Sequence, residues 1–471
     1  VKRQPLVGTC TITDFFENSQ EAIIPDYQRP YVWNEEKLEQ LIEDLEAHFL
    51  VENTFDDISN YYLGTILVCE KDNQYEIIDG QQRITTLLLL DYAWRKDESI
   101  LSQGKWKLSY KSLLSKKTIR NNVKVLESSS SKARNKIEFI FSKLVITLII
   151  TTSEDEAFTF FDSQNNRGVS LSPVDFLKSY HLRALGGKKD LQRTFATQWD
   201  SNNCGQFLNI IFSHILWRNR NWKGKSLWYG DKDAILKTFQ KQTIKSIENN
   251  SVTLYPNAFN ALSSHLEFDS QTGVSIQPNR LNLQTRSEDY PFAIRQPVEK
   301  GTGFFLYTEK YHAIYTILFK EFRFNELEKC YKELYNDVSR YLRMFFELAV
   351  ISYYDKYKDY KLLEFALWLD YLLGSYRINQ HSIVAQTIIK ILRDNRQNLL
   401  DVIEMSYRPE TVFEFIQSIT DDSFYTNEDK ATGGVRKQYK ENNLTYYNEV
   451  TGNENSLTNK KKWINAKLTQ K

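Results

Sequence analysis

Tyr75-Glu76-Ile77-Ile78-Asp79-Gly80-Gln81-Gln82-Arg83-Ile84-Thr85-Thr86, continued by the apolar run Leu87 to Leu90, decides how the first part of the chain folds. Glu76-Ile77-Ile78 reads as a short strand. Ile84 through Trp94 is apolar and free of Gly and Pro, so it reads as a helix. The polar cluster then sits at a strand-to-helix junction, with Leu87 to Leu90 buried beneath it. Gly80 supplies the positive φ or close approach that such a turn needs. The first turn of the following helix leaves backbone N–H groups unpaired, and with the helix dipole these make an anion site. Arg83 adds a planar fork of donors suited to phosphate, Gln81 and Gln82 add amides, and Asp79 adds a carboxylate able to hold a metal or orient a water. A capped helix start with a salt bridge accounts for the same residues. Spacing alone does not separate the two readings.

Upstream lies Ile24-Pro25-Asp26-Tyr27-Gln28-Arg29-Pro30-Tyr31-Val32-Trp33, then an acidic amphipathic helix candidate from Glu35 to Phe49, then Tyr62-Leu63-Gly64-Thr65-Ile66. Downstream lies Phe161-Asp162-Ser163-Gln164-Asn165-Asn166-Arg167-Gly168-Val169-Ser170-Leu171-Ser172-Pro173-Val174-Asp175-Phe176-Leu177-Lys178. In this order the stretches resemble the GmrS-type domain of modification-dependent GmrSD restriction systems, over about residues 20 to 185. That family is similar in turn to the ParB and sulfiredoxin fold, a small α/β domain that binds nucleoside triphosphates. Gln28-Arg29, Gly80 to Arg83 and Asn165 to Arg167 hold places in chain order like those of the segments that surround the nucleotide in ParB proteins.

The resemblance implies an α+β protein: an N-terminal ParB/sulfiredoxin-like α/β domain followed by a mainly α-helical C-terminal half. It implies Arg83 as the phosphate clamp, with Asp79 and Gln82 as its catalytic companions. Gln28, Arg29, Gly80, Gln81, Thr85, Asn165, Asn166, Arg167 and Lys178 would contact the nucleotide, and Asp79 with Asp175 would hold Mg²⁺. Asn165 and Asn166 also read as helix C-caps, and Asp175 as a first-turn charge matched to the helix dipole. Sulfiredoxin chemistry needs a cysteine in this region. Cys69 falls on an apolar strand away from the junction, so that activity is set aside.

The 471 residues suffice for two or three domains, and a hydrophobic share of 41% fills real cores. The most apolar stretch, Leu144 to Ile150, is too short to span a bilayer, and no charged-then-apolar leader opens the chain. These features predict a cytoplasmic protein without a membrane partner. Cys10, Cys69, Cys204 and Cys330 lie far apart without CxxC spacing, which argues against a zinc site and against a disulfide framework. Net charge is only +1, but its distribution is uneven. Residues 35 to 57 carry nine acids against Lys37, whereas residues 100 to 136 carry ten Lys or Arg against Glu127. Within the basic stretch, Lys105, Lys107, Lys116, Lys117 and Arg120 are candidate DNA contacts. A second cluster around Arg218, Arg220 and Lys223 interleaves cations with Trp217, Trp222, Trp228 and Tyr229, as phosphate contact plus base stacking would require. Solvated faces explain both runs without DNA. Tyr27, Gln28, Tyr31 and Trp33 are candidates for reading a DNA modification directly, although packing against the following helix also accounts for Tyr31 and Trp33.

Residues 1–185 are expected as the nucleotide-binding domain, 186–300 as a mixed basic and aromatic region, 301–425 as a helical bundle, and 426–471 as a basic flexible tail. The opening to Phe16 reads as a helix lead-in, Thr65 to Glu70 with Gln74 to Ile78 as a hairpin, residues 97 to 136 as a polar loop, and Leu144 to Ile150 as a buried strand. A helix starts near Pro173. In the bundle, Tyr307 to Phe322, Glu326 to Tyr357, Tyr360 to Ser375, Ser382 to Tyr407 and Pro409 to Ile419 show helical spacing of apolar residues.

Many GmrSD-type proteins end in a His-Asn-His nuclease domain. The six histidines here are isolated, and none falls in the last ninety residues. A separate nuclease partner, sensing without cutting, or a shortened sequence would each explain this. The function expected is a Mg-dependent nucleoside triphosphatase, gated by modified or phage DNA, in bacterial antiphage restriction. A nucleotide-switched DNA sensor without hydrolysis is the alternative, and a metal-dependent nickase built on Asp79 and Asp175 is a weaker third. The implied partners are DNA, a separate nuclease or defence subunit, and a second copy of the chain.

Overall fold

A computed structural model describes residues 5–18, 22–25, 28, 30–50, 58–71, 74–104, 106–107, 109–110, 112–153, 156–157, 172–186, 188–202, 207–222, 229–245, 252–253, 264–278, 286–335, 339–393, 397–420, 425, 427–452 and 456–469. The protein is α+β, with a mixed five-stranded sheet in its N-terminal part and a helical C-terminal half. It divides into two compact units, Val1–Ser201 and Asn202–Lys471.

The first unit is built on β1 (Leu6–Thr11), β2 (Ala22–Ile23), β3 (Tyr61–Lys71), β4 (Gln74–Asp79) and β5 (Leu144–Thr151), ordered β1-β5-β3-β4-β2. The hairpin of β3 and β4 is antiparallel as expected, whereas β3 pairs β5 in parallel and β2 pairs β4 in parallel. Its helices are α1 (Ile12–Asn18), α2 (Glu35–Phe49), α3 (Gln81–Arg95), α4 (Leu113–Ser128), α5 (Ile137–Lys143), α6 (Pro173–Arg183) and α7 (Lys189–Asn202). Leu87, Leu88, Leu89 and Leu90 are all buried, so this turn of α3 is wrapped by core on every side. Asp91, also fully buried there, accepts the Ile100 N–H at 2.6 Å and pairs with Arg95.

Two ladder irregularities shape the junction. Between Val68↔Ile77 and Leu67↔Asp79 the register slips, leaving Ile78 without a cross-strand partner. Between Tyr62↔Val145 and Gly64↔Ile146 it slips again, leaving Leu63 over, and Gly64 takes φ +115°. An extra residue bends a strand and re-aims the chain beyond it, here Asp79 and Gly80.

The structure corrects two expectations for this unit. The opening is not a helix lead-in throughout: β1 pairs antiparallel with β5 before α1 begins. Residues 97 to 136 are not one polar loop, because α4 runs through them, capped by Ser112 and buried through Ser115, Asn122 and Leu126.

The second unit centres on helices α8 (Thr302–Phe319), α9 (Asn325–Tyr335), α10 (Arg340–Tyr357), α11 (Leu362–Asn379), α12 (Ala385–Arg393), α13 (Leu399–Met405), α14 (Pro409–Ile419), α15 (Gly434–Tyr446) and α16 (Lys460–Thr469). Residues 207–220 form a helix broken by a π-helical turn over Ile211–Leu216, and Ser264–Asp269 with Gly273–Pro278 form a hairpin. Residues 426–471 depart from the flexible tail expected of them. Tyr439, Tyr446, Tyr447, Trp463 and Ile464 are buried, so α15 and α16 are part of the bundle.

Candidate functional site

Gly80 stands between β4 and α3 with φ +93°, a conformation that a side chain disfavours. A Cβ there would meet Ile66 Cγ1 at 2.9 Å. The chain therefore turns sharply over β3 and starts α3 with no side chain capping it. An uncapped N-terminus on a 15-residue helix presents backbone donors and the positive end of the dipole. The anion reading of this junction keeps its geometry.

The motif side chains are engaged in holding that geometry. Arg83 donates to Leu63 O at 3.0 Å and to Thr65 O at 2.6 Å, and lies 3.6 Å from the Asp79 carboxylate. Leu63 is the extra residue of the β3 irregularity, so Arg83 satisfies a carbonyl that the ladder leaves over. Gln28 does the same for the other irregularity: its Nε2 donates to Ile78 O at 2.8 Å. Gln82 clamps the preceding segment, accepting from Val32 N and donating to Pro30 O, each at 3.0 Å. Gln81 Nε2 donates to the Tyr110 hydroxyl at 3.1 Å, and Thr85 Oγ1 shares a 2.6 Å bond with the same hydroxyl. Burial pushes the Tyr110 phenol up to about 12.

Lys178, on α6, is buried with its ammonium 2.8 Å from Asp200 and 3.2 Å from Gln28 O. Asp175 completes a capping box with Ser172, which is the first-turn role that its position also suggested. Among the described residues no three His, Cys, Asp or Glu side chains gather as a metal site would require. The structure thus brings Gln28, Gly80, Gln81, Gln82, Arg83, Thr85 and Lys178 to one end of the sheet. Tyr27, Arg29, Lys105, Asn165, Asn166, Arg167 and Lys223 lie outside the described residues.

A small cleft opens beside this junction, lined by Gln28, Gln81, Ser109, Tyr110, Ser112 and Ser115 and, from α7, by Arg193, Thr197 and Asp200. Its volume of about 40 Å³ admits a few waters. Sequence reasoning missed Tyr110 and the α7 residues. The signal available was the spacing of Arg193, Ala196, Thr197 and Asp200, which puts all four on one helical face.

The DNA candidates divide. Lys116, Lys117 and Arg120 are exposed on α4, and with Lys124 they recur at one-turn intervals of about 6 Å. Lys107 is exposed as well. The α4 acid, Glu127, sits at the far end and pairs with Lys96. Three other candidates are corrected. Tyr31 is fully buried, its hydroxyl 2.8 Å from Thr86 Oγ1 and 3.1 Å from the Asn122 amide that donates to it. Arg218 is 1% exposed and donates to Trp222 O at 2.9 Å. Arg220 donates to Gln296 O at 2.6 Å and lies over the Phe239 and Tyr307 rings. Cations stacked on aromatics read alike whether they face bases or a core, and here they face the core. Tyr31→Phe is accordingly expected to cost about 1 to 2 kcal/mol in urea denaturation, through two lost buried hydrogen bonds, and to leave DNA affinity unchanged.

Comparison with known proteins gives two family matches. A family of unknown function (DUF7834) matches residues 191–432, just over half of the chain. The chain belongs to that family. The N-terminal domain of the GmrSD restriction endonuclease matches residues 12–182, so this DUF7834 chain carries a GmrSD restriction-family domain ahead of the family's own stretch. No curated protein matches the chain. The GmrSD-type match holds the whole β4–α3 junction and Lys178, while Arg193, Thr197 and Asp200 belong to the DUF7834 match.

Proposed function

We infer that the protein is a DNA-sensing nucleoside triphosphatase of an antiphage restriction system, binding the triphosphate at the Asp79 to Arg83 junction on a ParB-like site. The observation that carries this reading is the uncapped start of α3 at Gly80, opening beside a cleft edged by Gln28 and Gln81. Backbone donors there suit a phosphate. A nucleotide needs far more room than about 40 Å³, so binding entails movement of a cleft wall. Mg²⁺ commonly uses one or two carboxylates plus the substrate's own phosphates, and in this reading Asp79, whose side chain is 28% exposed, would supply one of them. The bound ion would offset phosphate charge. Arg83 acts in this reading by fixing the loop, since its donors hold β3 carbonyls.

The engagement of Asp175 in a capping box takes one of the two expected Mg²⁺ ligands and favours a second reading in which nucleotide binding switches DNA affinity without turnover. Both readings place DNA along α4. Phosphate release from each of the four nucleoside triphosphates with Mg²⁺, with and without DNA, separates them. Release stimulated by DNA supports the triphosphatase; nucleotide binding without release supports the switch. A triple change of Lys116, Lys117 and Arg120 to Gln is expected to lower the salt slope of DNA binding by about 3. An unchanged slope places the DNA elsewhere.

A further inference from the structure

The GmrSD-type match stops at 182, yet the first compact unit runs on to Ser201. The added element is α7, whose Arg193, Ala196, Thr197 and Asp200 form one wall of the cleft. Its other side is anchored, because Phe195 and Trp199 are buried. This helix is also the last element before the chain passes into the second unit at Asn202.

Asp200 and Gln28 both line the cleft, and both bind Lys178, whose side chain is only 2% exposed and lies behind them. A lysine ammonium has three N–H donors. Two are taken here, by Asp200 Oδ1 and Gln28 O, and no third partner is present among the described residues. Gln28 in turn is fixed through Ile78 O to β4, the strand that ends at Asp79, next to Gly80. The ammonium is thus tied to the phosphate-binding turn on one side and to α7 on the other. Burial pushes the Asp200 carboxyl up, against the pull of Lys178, so this carboxylate is held in a setting that disfavours its charge.

We propose that Asp200 is a positioning residue that occupies Lys178 in place of a ligand's phosphate, and that a nucleoside triphosphate displaces it, moving α7 outward. The proposal rests on the nucleotide reading of the cleft and adds what regulates it. A multiply charged phosphate chain outcompetes one partly desolvated carboxylate for the same ammonium, and Arg193, exposed on the same face of α7, meets the remaining charge. Displacement enlarges the cleft and alters the helix on which the DUF7834 match begins and after which the second unit starts, giving the nucleotide a physical route along the chain.

The test is equilibrium binding of the four Mg²⁺–nucleoside triphosphates, and of tripolyphosphate, to the full chain. Variants are Asp200→Asn, Asp200→Glu and Lys178→Gln, each checked for its melting temperature. Asp200→Asn removes the competing charge and keeps a hydrogen-bonding shape, so it should bind about tenfold more tightly than wild type, with Asp200→Glu close to wild type and Lys178→Gln much weaker. Tripolyphosphate binding as well as a nucleotide would assign recognition to the phosphates alone and keeps the proposal. In wild type, amides of residues 189–202 should exchange hydrogen faster once nucleotide is bound. Equal or weaker binding by a folded Asp200→Asn overturns the displacement while leaving the nucleotide reading in place. Wild type that binds no nucleotide overturns that reading, and the displacement falls with it.

Discussion

Lys460→Met is expected to destabilise the C-terminal unit by about 3 to 5 kcal/mol, the cost of leaving a buried charge without its partner. Lys460 and Asp370 have fully buried side chains and form a direct ion pair. Lys460 also donates to the Tyr439 hydroxyl at 2.6 Å, and that hydroxyl donates to Asp370 Oδ1 at 2.9 Å. The ammonium lies over the Tyr439 ring, 5.0 Å from its centroid. Burial pulls Lys460 below the usual lysine range, opposed by the Asp370 charge. Replacing only the lysine strands the carboxylate, so the double change Lys460→Met with Asp370→Leu should recover much of the loss. Urea denaturation of the three proteins decides it. A loss below about 1 kcal/mol for the single change would mean that the pair is solvated and that α16 is not fastened to α11 by it.

The second large effect is Gly80→Ala, expected to cost about 2 to 3 kcal/mol and to weaken nucleotide binding at least tenfold. The positive φ alone costs about 1 to 2 kcal/mol for an alanine. The added methyl meets the side chain of Ile66, which is fully buried on β3 and cannot retreat without opening the core. Relief requires the start of α3 to swing away, which misaligns the backbone donors. Thermal melting gives the first quantity, and titration with a Mg²⁺–nucleoside triphosphate gives the second. Full affinity in a destabilised but folded Gly80→Ala protein would separate the turn from the ligand.

The strand-to-helix junction was legible in the sequence because its signals are local. Period, Gly and the apolar run together place β4 and α3, and the acidic amphipathic pattern gives α2 with the bounds observed, Glu35–Phe49. Pro409–Ile419 was legible for the same reason. What escaped was set by distant partners. β1 is a strand because β5, well over a hundred residues away, pairs with it. Gln28 and Arg83 have donors that suit phosphate, and nothing local reveals that Ile78 and Leu63 carbonyls are left over by ladder slips and claim those donors first. The lysine run at 460–462 reads as a solvated tail, yet one member faces Asp370 in the core while Lys462 is exposed. Arg218 and Arg220 misled in the same way, since a cation beside aromatics has one sequence signature and two possible surroundings. At the cleft, Arg193, Thr197 and Asp200 were hidden by lying past the end of the motif-bearing domain.

Titration of the full chain with each Mg²⁺–nucleoside triphosphate, followed by hydrogen exchange at the amides of Gln81, Gln82 and Arg83, tests the central claim most directly. The expected result is saturable binding of at least one nucleotide, with slowed exchange at these three amides and none of that slowing in Gly80→Ala. Saturable binding that leaves the start of α3 unprotected, or no binding by any of the four, would contradict the account.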